Sequence, residues 1–299
     1  MELKRGEGME QVILAALESG LVFSLLAIGV AITFKILNLA DLSIEGTFPL
    51  GAFVIGRFLI KGVNPYLALA LAFIAGGIGG YITYFLYKKF KIESILAGIL
   101  TMTFLYSINL RVGEKSNIPL FDTKTIFTDA IIPRLFILAI IVVIAKLILD
   151  WFLKTEKGYL LIVTGDNDQL VKSLGKSPET YIMLGLVLSN ALAALSGALQ
   201  AQTQGFVDIS MGQGMIVMAL ASIVIGDTIM KNSKKLKITS RAILGSVIYR
   251  LIYAIAIEAG LNPNDLKGIT ALIVVLVIVY NNVAFNKSLK RLSRRSKNA

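Results

Sequence analysis

The chain has 299 residues, 56% of them hydrophobic and only 16% charged, with a mean hydropathy of +0.75 and a formal net charge of +11. That balance lies outside the range of soluble domains and describes an all-α polytopic membrane protein. Cysteine and histidine are absent, which excludes disulfides, thiolate nucleophiles, imidazole bases and the common zinc clusters.

The N-terminal "MELKRGEGME" runs into apolar sequence longer than a signal-peptide core, with no small-residue cleavage site, so the first apolar segment is expected to be retained. Apolar segments follow at about residues 11–37, 47–61, 66–87, 94–110, 131–153, 180–203, 212–230, 241–259 and 268–286, where roughly 20 residues cross a bilayer. This predicts about nine transmembrane or half-spanning helices in a single transmembrane domain, residues 1–299. The segment at 47–61 is short and holds Arg57, so it either spans or re-enters. "GGIGG" at 76–80 suits close helix packing in lipid.

Basic residues cluster at Lys88, Lys89 and Lys91, at Lys154, Lys157, Lys172 and Lys176, from Lys231 to Arg241, and in the tail from Lys287 to Lys297. Set in short loops and a tail, they report membrane orientation with these loops in the cytoplasm, and nucleic acid is not expected as a partner. If 47–61 spans, the N-terminus lies outside.

"LADLSIEGTFPLGA" from residue 39 resembles "FVDISMGQGMIVMA" from residue 206, with Asp41 and Ser43 matching Asp208 and Ser210. Five helices would separate the copies, an odd number, which predicts an inverted internal repeat. Its halves would be about 11–110 and 180–286, joined by a connecting helix at 131–153. Inverted repeats characterise transporters whose path lies between the halves. The alternative is that Asp-x-Ser is an ordinary helix cap that recurs by chance.

No phosphate loop, catalytic triad, metal-ligand cluster or apolar carboxylate pair is present, so neither catalysis nor a cofactor is expected. Among polar residues within spans, Lys146, Arg250 and Glu258 sit near enough to predicted ends to snorkel. Asn190 and the series Gln200, Gln202, Gln204, Asp208 and Ser210, with Asp41, Ser43 and Glu45 at the matching junction, are candidates for a solute path. A solvated, capped loop is the plainer explanation for any one of them.

The polar segment 160–178 interrupts two long apolar runs. Asp168 or Asn167 can cap a short helix through Leu174, Gly175 suits a left-handed stop, and Ser177 with Pro178 starts the next helix. Leu170, Val171 and Leu174 share one face, opposite Gln169, Lys172 and Ser173. A docking knob and a structured loop are both compatible with this pattern.

Four stretches, "NLADLSIEGTFPLGA" (38–52), "TGDNDQLVKSLG" (164–175), "LSNALAALSGALQAQTQGFVDISMGQGMIVMALASIVIGD" (188–227) and "GLNPNDLKGITALIVVL" (260–276), resemble permease subunits of ABC importers of the branched-chain amino-acid and sugar class, closest to its tryptophan/tyrosine-type branch. The resemblance implies that Gly165, Asp166, Asn167, Asp168, Leu170, Leu174 and Gly175 form a helix that couples to a cytoplasmic ATPase. It also implies a second permease copy in a homodimer or heterodimer, an extracytoplasmic substrate-binding protein, and import of an amino acid or related small solute across the plasma membrane by alternating access. Lys172 and the long basic loop "KNSKKLKITSR" depart from the family's usual pattern. An ion-coupled carrier acting alone is the competing expectation, although no titratable midplane group stands out for it. A scaffolding membrane protein would leave the Asp-x-Ser junctions without a purpose.

Overall fold

The computed structural model describes residues 2–128, 130–230 and 237–262, with 265, 268, 270–272, 275 and 279. Its helices, in order, are α1 (Glu2–Ala31, prolonged by a π-helical turn at Ile32–Ile36), α2 (Ile44–Ile60), α3 (Pro65–Tyr84), α4 (Ser94–Gly113), α5 (Arg134–Phe152), α6 (Glu156–Asp166), α7 (Asp168–Ser173), α8 (Pro178–Gln204), α9 (Met215–Ile229) and α10 (Ile238–Glu258). Two short strands, β1 (Asn117–Pro119) and β2 (Phe206–Asp208), pair antiparallel, with Ile118 opposite Val207. Among the described residues, seven helices are long and apolar enough to cross a membrane. The predicted segment at 268–286, the loop at 231–236 and the tail from 287 fall largely or wholly outside the described residues.

Local chemistry sets the boundaries. Asn64 caps α3 by accepting from Tyr66 N, with Pro65 at the first helical position, and Pro178 starts α8 in the same way. Gly205 ends α8 at φ +79°, a conformation that costs glycine nothing. α5 shows how one helix meets two environments: Leu138, Val142 and Leu149 are buried, while Phe136, Ile140, Val143, Leu147 and Trp151 stand exposed on the other side. An exposed stripe this apolar suits lipid.

The centre is α2, packed between α3, α4 and α8. Its 17 residues make about 26 Å of helix, and Phe48, Phe53 and Ile55 are fully buried. It ends where the short turn into α3 begins, so the two run antiparallel. Small residues permit the contacts: a Cβ on Gly51 would lie 1.9 Å from the Ala194 carbonyl oxygen, and one on Gly197 would lie 1.9 Å from that of Phe48.

Two predicted snorkelling residues are placed otherwise. Arg250 lies twelve residues into α10, its guanidinium 3.6 Å from the Phe23 ring centre; ring stacking replaces a path to the membrane surface. Lys146 turns to Asp150 at 2.6 Å, a buried carboxylate that also accepts from Thr239 Oγ1 at 2.6 Å and lies 3.1 Å from Lys237, so α5 is joined to the start of α10.

Candidate functional site

The two Asp-x-Ser junctions fold alike. Asp41 Oδ1 accepts from the Ser43 backbone N at 3.0 Å and from Ser43 Oγ at 2.5 Å. Asp208 Oδ1 accepts from the Ser210 backbone N at 2.8 Å and from Ser210 Oγ. An aspartate that bonds its own chain two residues on makes an Asx turn, and each turn precedes a helix, α2 and α9.

Their surroundings differ. At the first junction Asn190, in the middle of α8, donates Nδ2 to Asp41 Oδ2 at 2.8 Å. Its Oδ1 accepts from Ser43 Oγ at 3.1 Å and from Thr47 Oγ1 at 2.8 Å. Ser43, Thr47 and Asn190 are fully buried and Asp41 nearly so. Thr47 had no place in the sequence-derived set; it lies one helical turn beyond Ser43, hence on the same face. At the second junction Asp208 Oδ2 accepts from Asn117 Nδ2 at 3.3 Å, across the small sheet. The Ser210 hydrogen bonds hold its carboxyl below the usual carboxylate range, against a smaller opposing effect of burial.

The glutamines do not join either turn. Gln202 is buried and its Oε1 accepts from Ile126 N at 3.1 Å, which fixes the 120–128 loop. Gln200 donates to Gln204 Oε1 at 3.0 Å, and Gln204 donates to the Phe206 carbonyl at 2.8 Å.

The segment after α8 returns along α2. Val207 packs against Gly56, and Gly212 presses on the Glu45 carbonyl and Pro49, a run of eleven residues or about 16 Å of helix. Pro49 has no N–H to give the Glu45 carbonyl, and Gly212 has no side chain to obstruct the approach. Glu45 Oε1 in turn accepts from Gly214 N, at the start of α9, at 3.0 Å. The two junctions therefore meet at the beginnings of α2 and α9.

Beside that meeting point lies a cavity of about 240 Å³, lined by Glu45, Gly46 and Pro49 of α2, by Met102, Thr103, Tyr106 and Asn109 of α4, and by Ile209 and Gln213. Of the residues expected in a solute path, only Glu45 lines it. Met102, Thr103 and Tyr106 were missed because a polar group every third or fourth position of an apolar helix gives little signal without knowledge of which face is turned inward.

Against the C-terminal end of α1 stands the knob. Asn167, not Asp168, caps α7, accepting from Gln169 N at 3.1 Å and Leu170 N at 3.3 Å. Asp168 pairs with Lys172 at 3.0 Å. Gly175 takes φ +71°. Val171 is fully buried, while Leu170 and Leu174 are exposed by 48% and 58%, so the apolar residues divide between the body of the protein and its surface. Gly165 sits against the end of α1, where a Cβ would come within 1.7 Å of the Ile36 carbonyl oxygen, and its own carbonyl accepts from Asn38 Nδ2 at 3.0 Å. Asp166 closes α6 and is exposed.

A family model described as branched-chain amino acid transport system / permease component matches residues 12–279. The tyrosine transport system permease protein of Clostridioides difficile is 43% identical over 279 residues, covering 93% of this chain and 94% of that protein. The uncharacterized protein RP368 of Rickettsia prowazekii is 35% identical over 274 residues, 89% of this chain and 96% of that one. The autoinducer 2 import system permease protein LsrC of Yersinia pestis is 26% identical over 216 residues, 70% of this chain and 60% of its own length.

Proposed function

The chain belongs to the branched-chain amino acid transport system permease family, as the permease of an ABC importer and a multi-pass plasma-membrane protein, and we propose that it forms the solute path for an amino acid such as tyrosine. In this reading transport is driven by separate ATPase chains docked on α7, and an extracytoplasmic binding protein delivers the solute. The observation that carries it is the division of the knob: Val171 anchors α7 while Leu170 and Leu174 face outward. The knob's contacts with Ile36 and Asn38 give a push on α7 a route to the chain that leads into Asp41, Ser43 and α2.

The architecture proposed is a single permease domain with inverted halves of about 11–110 and 180–286, linked by α5 and the segment 160–178, with the N-terminus outside. The matched Asx turns support it, as does their placement: one follows α1, the other follows α8, and five long helices separate them. A homodimer is the favoured assembly. Ile99, Leu100 and Phe104 of α4 are exposed next to the cavity, so a second copy set against α4 would enclose a path. Gln200, Gln202, Gln204, Asp208 and Ser210 would shape the outer mouth, and Asp41, Ser43 and Asn190 the inner wall.

The test is to reconstitute the permease with the co-purifying ATPase and binding protein and to measure ATP-driven tyrosine uptake. The double variant Leu170→Ala, Leu174→Ala should lower uptake at least about tenfold, equivalent to about 1.4 kcal/mol of lost coupling, while membrane insertion is retained. Unchanged uptake would refute the docking role. A second reading, an ion-coupled carrier acting alone, is favoured by one observation: Asp41 is a titratable group buried among the helices. Proton-driven uptake by the isolated chain in liposomes would put that reading first.

A further inference from the structure

The π-helical turn that ends α1, Ile32–Ile36, lies between two other parts of the molecule. On one side is the knob: Gly165 presses on the Ile36 carbonyl, and Asn38 Nδ2 donates to the Gly165 carbonyl at 3.0 Å. On the other is α9: Lys35 Nζ pairs with Asp227 Oδ2, and Asp227 Oδ1 lies 3.5 Å from the guanidinium of Arg241 in α10. One carboxylate therefore ties the end of α1 to α9 and α10 together. Those two helices are held close at Gly226 and Gly245, where a Cβ would come within 2.0 Å of the Arg241 carbonyl oxygen and 1.9 Å of that of Ser222. The Lys35 and Asp227 side chains are 39% and 23% exposed. A pair this open to solvent contributes little to stability, so stability alone gives little reason to join three helices here. The turn itself is a discrete element. Leu37 N donates to the Ile32 carbonyl at 3.0 Å, five residues back, where an α-helix bonds four back. A return to α-helical bonding would rotate the chain beyond the turn by about 100° and shift it by about 1.5 Å.

We propose that the Lys35–Asp227 pair is a relay, which makes α9 and α10 follow the end of α1 when the knob is pushed, so that both halves of the path move together. The proposal rests on the docking of ATPase chains at α7 and names the residues that carry the push onward. One route runs along the chain from Ile36 to Asp41 and α2; a second leaves it at Lys35. α9 starts just after Gln213 and Gly214, at the cavity and at Glu45, and Asp227 lies near its other end, about 18 Å along the helix. A displacement of Asp227 thus reaches the cavity through one helix. Lys35 and Asp227 line no part of that cavity, so they act as positioning residues.

The test uses the permease reconstituted with its ATPase and binding protein, and compares uptake of labelled L-tyrosine with ATP hydrolysis in the same vesicles, the wild type serving as reference. Lys35→Gln and Asp227→Asn should each lower uptake at least about fivefold, the scale of a modest coupling free energy, while ATP hydrolysis persists, so that less solute moves per ATP. Their unfolding midpoints should stay within about 2 °C of the wild type. The double variant should be no worse than either single one, because the same pair is broken in all three. The relay is overturned if either single variant leaves uptake unchanged, if uptake falls only in proportion to the folded protein, or if the two losses multiply in the double variant. Docking is judged separately by Leu170→Ala, Leu174→Ala: a loss there with none at Lys35 or Asp227 overturns the relay alone, and no loss in any of them overturns both.

Discussion

The inner and outer Asp-x-Ser junctions have the same local hydrogen bonds and different fates. Asp41 and Ser43 are buried beneath α8, where Asn190 binds both. Asp208 and Ser210 stay at the surface, where Asn117 alone reaches across. The turn is thus a property of three consecutive residues, whereas its energetic weight is a property of what packs over it. An unsatisfied polar group costs far more in an apolar interior than at a solvated edge.

The strongest way to break the comparison is at Asn190. Asn190→Leu strips partners from Asp41, Ser43 and Thr47 together, and should destabilise the protein by about 3 kcal/mol, read as a lowered unfolding midpoint in detergent. Removing Asn117 at the outer turn should cost about 1 kcal/mol or less. Comparable losses at both would show that burial does not separate the two junctions. An intermediate effect is expected at Gly212, which joins them: in Gly212→Ala the added Cβ would meet the Glu45 carbonyl oxygen at 2.0 Å, so the segment must move off α2. A loss of about 1–3 kcal/mol follows from such overpacking, read as a lowered unfolding midpoint.

Much of this arrangement was legible in the sequence. Runs of apolar residues placed seven of the expected helices within about three residues at each end, and an eighth, α1, that starts nine residues earlier than expected, because a helix buried in a membrane protein or facing lipid must be apolar on nearly all sides. The Asx turns were legible too, since Asp-x-Ser carries its own hydrogen bonds. Which residues meet across the fold was not. Asn190 and Asp41 are 149 positions apart, and nothing local to either announces the other. Gln202 belongs with Ile126 rather than with its neighbours Gln200 and Gln204, because positions four apart share a helix face while a position two away points to the other side. Arg250 could be read as snorkelling only while its partner ring, Phe23 of a distant helix, was unknown. The cap of α7 passed to Asn167 because its extended backbone, φ −158° and ψ 97°, turns the side chain toward the two free N–H groups.

The smallest expected effect concerns Asp208 and sharpens the comparison through pH. Its folded-state pKa is depressed by the Ser210 hydrogen bonds, so its contribution to stability is present above the ordinary carboxylate range and is lost as the pH falls through the folded value. Asp208→Asn keeps the shape and one acceptor oxygen while removing the charge. The stability difference between wild type and this variant should therefore be small at neutral pH, begin to shrink as the pH falls below about 4, and vanish once the pH has fallen through the depressed folded-state value. Unfolding midpoints measured for both proteins across that range decide the matter. A difference that persisted at low pH would mean that the outer turn depends on the shape of its side chain and not on its charge, and the contrast with the buried inner turn would then rest on packing alone.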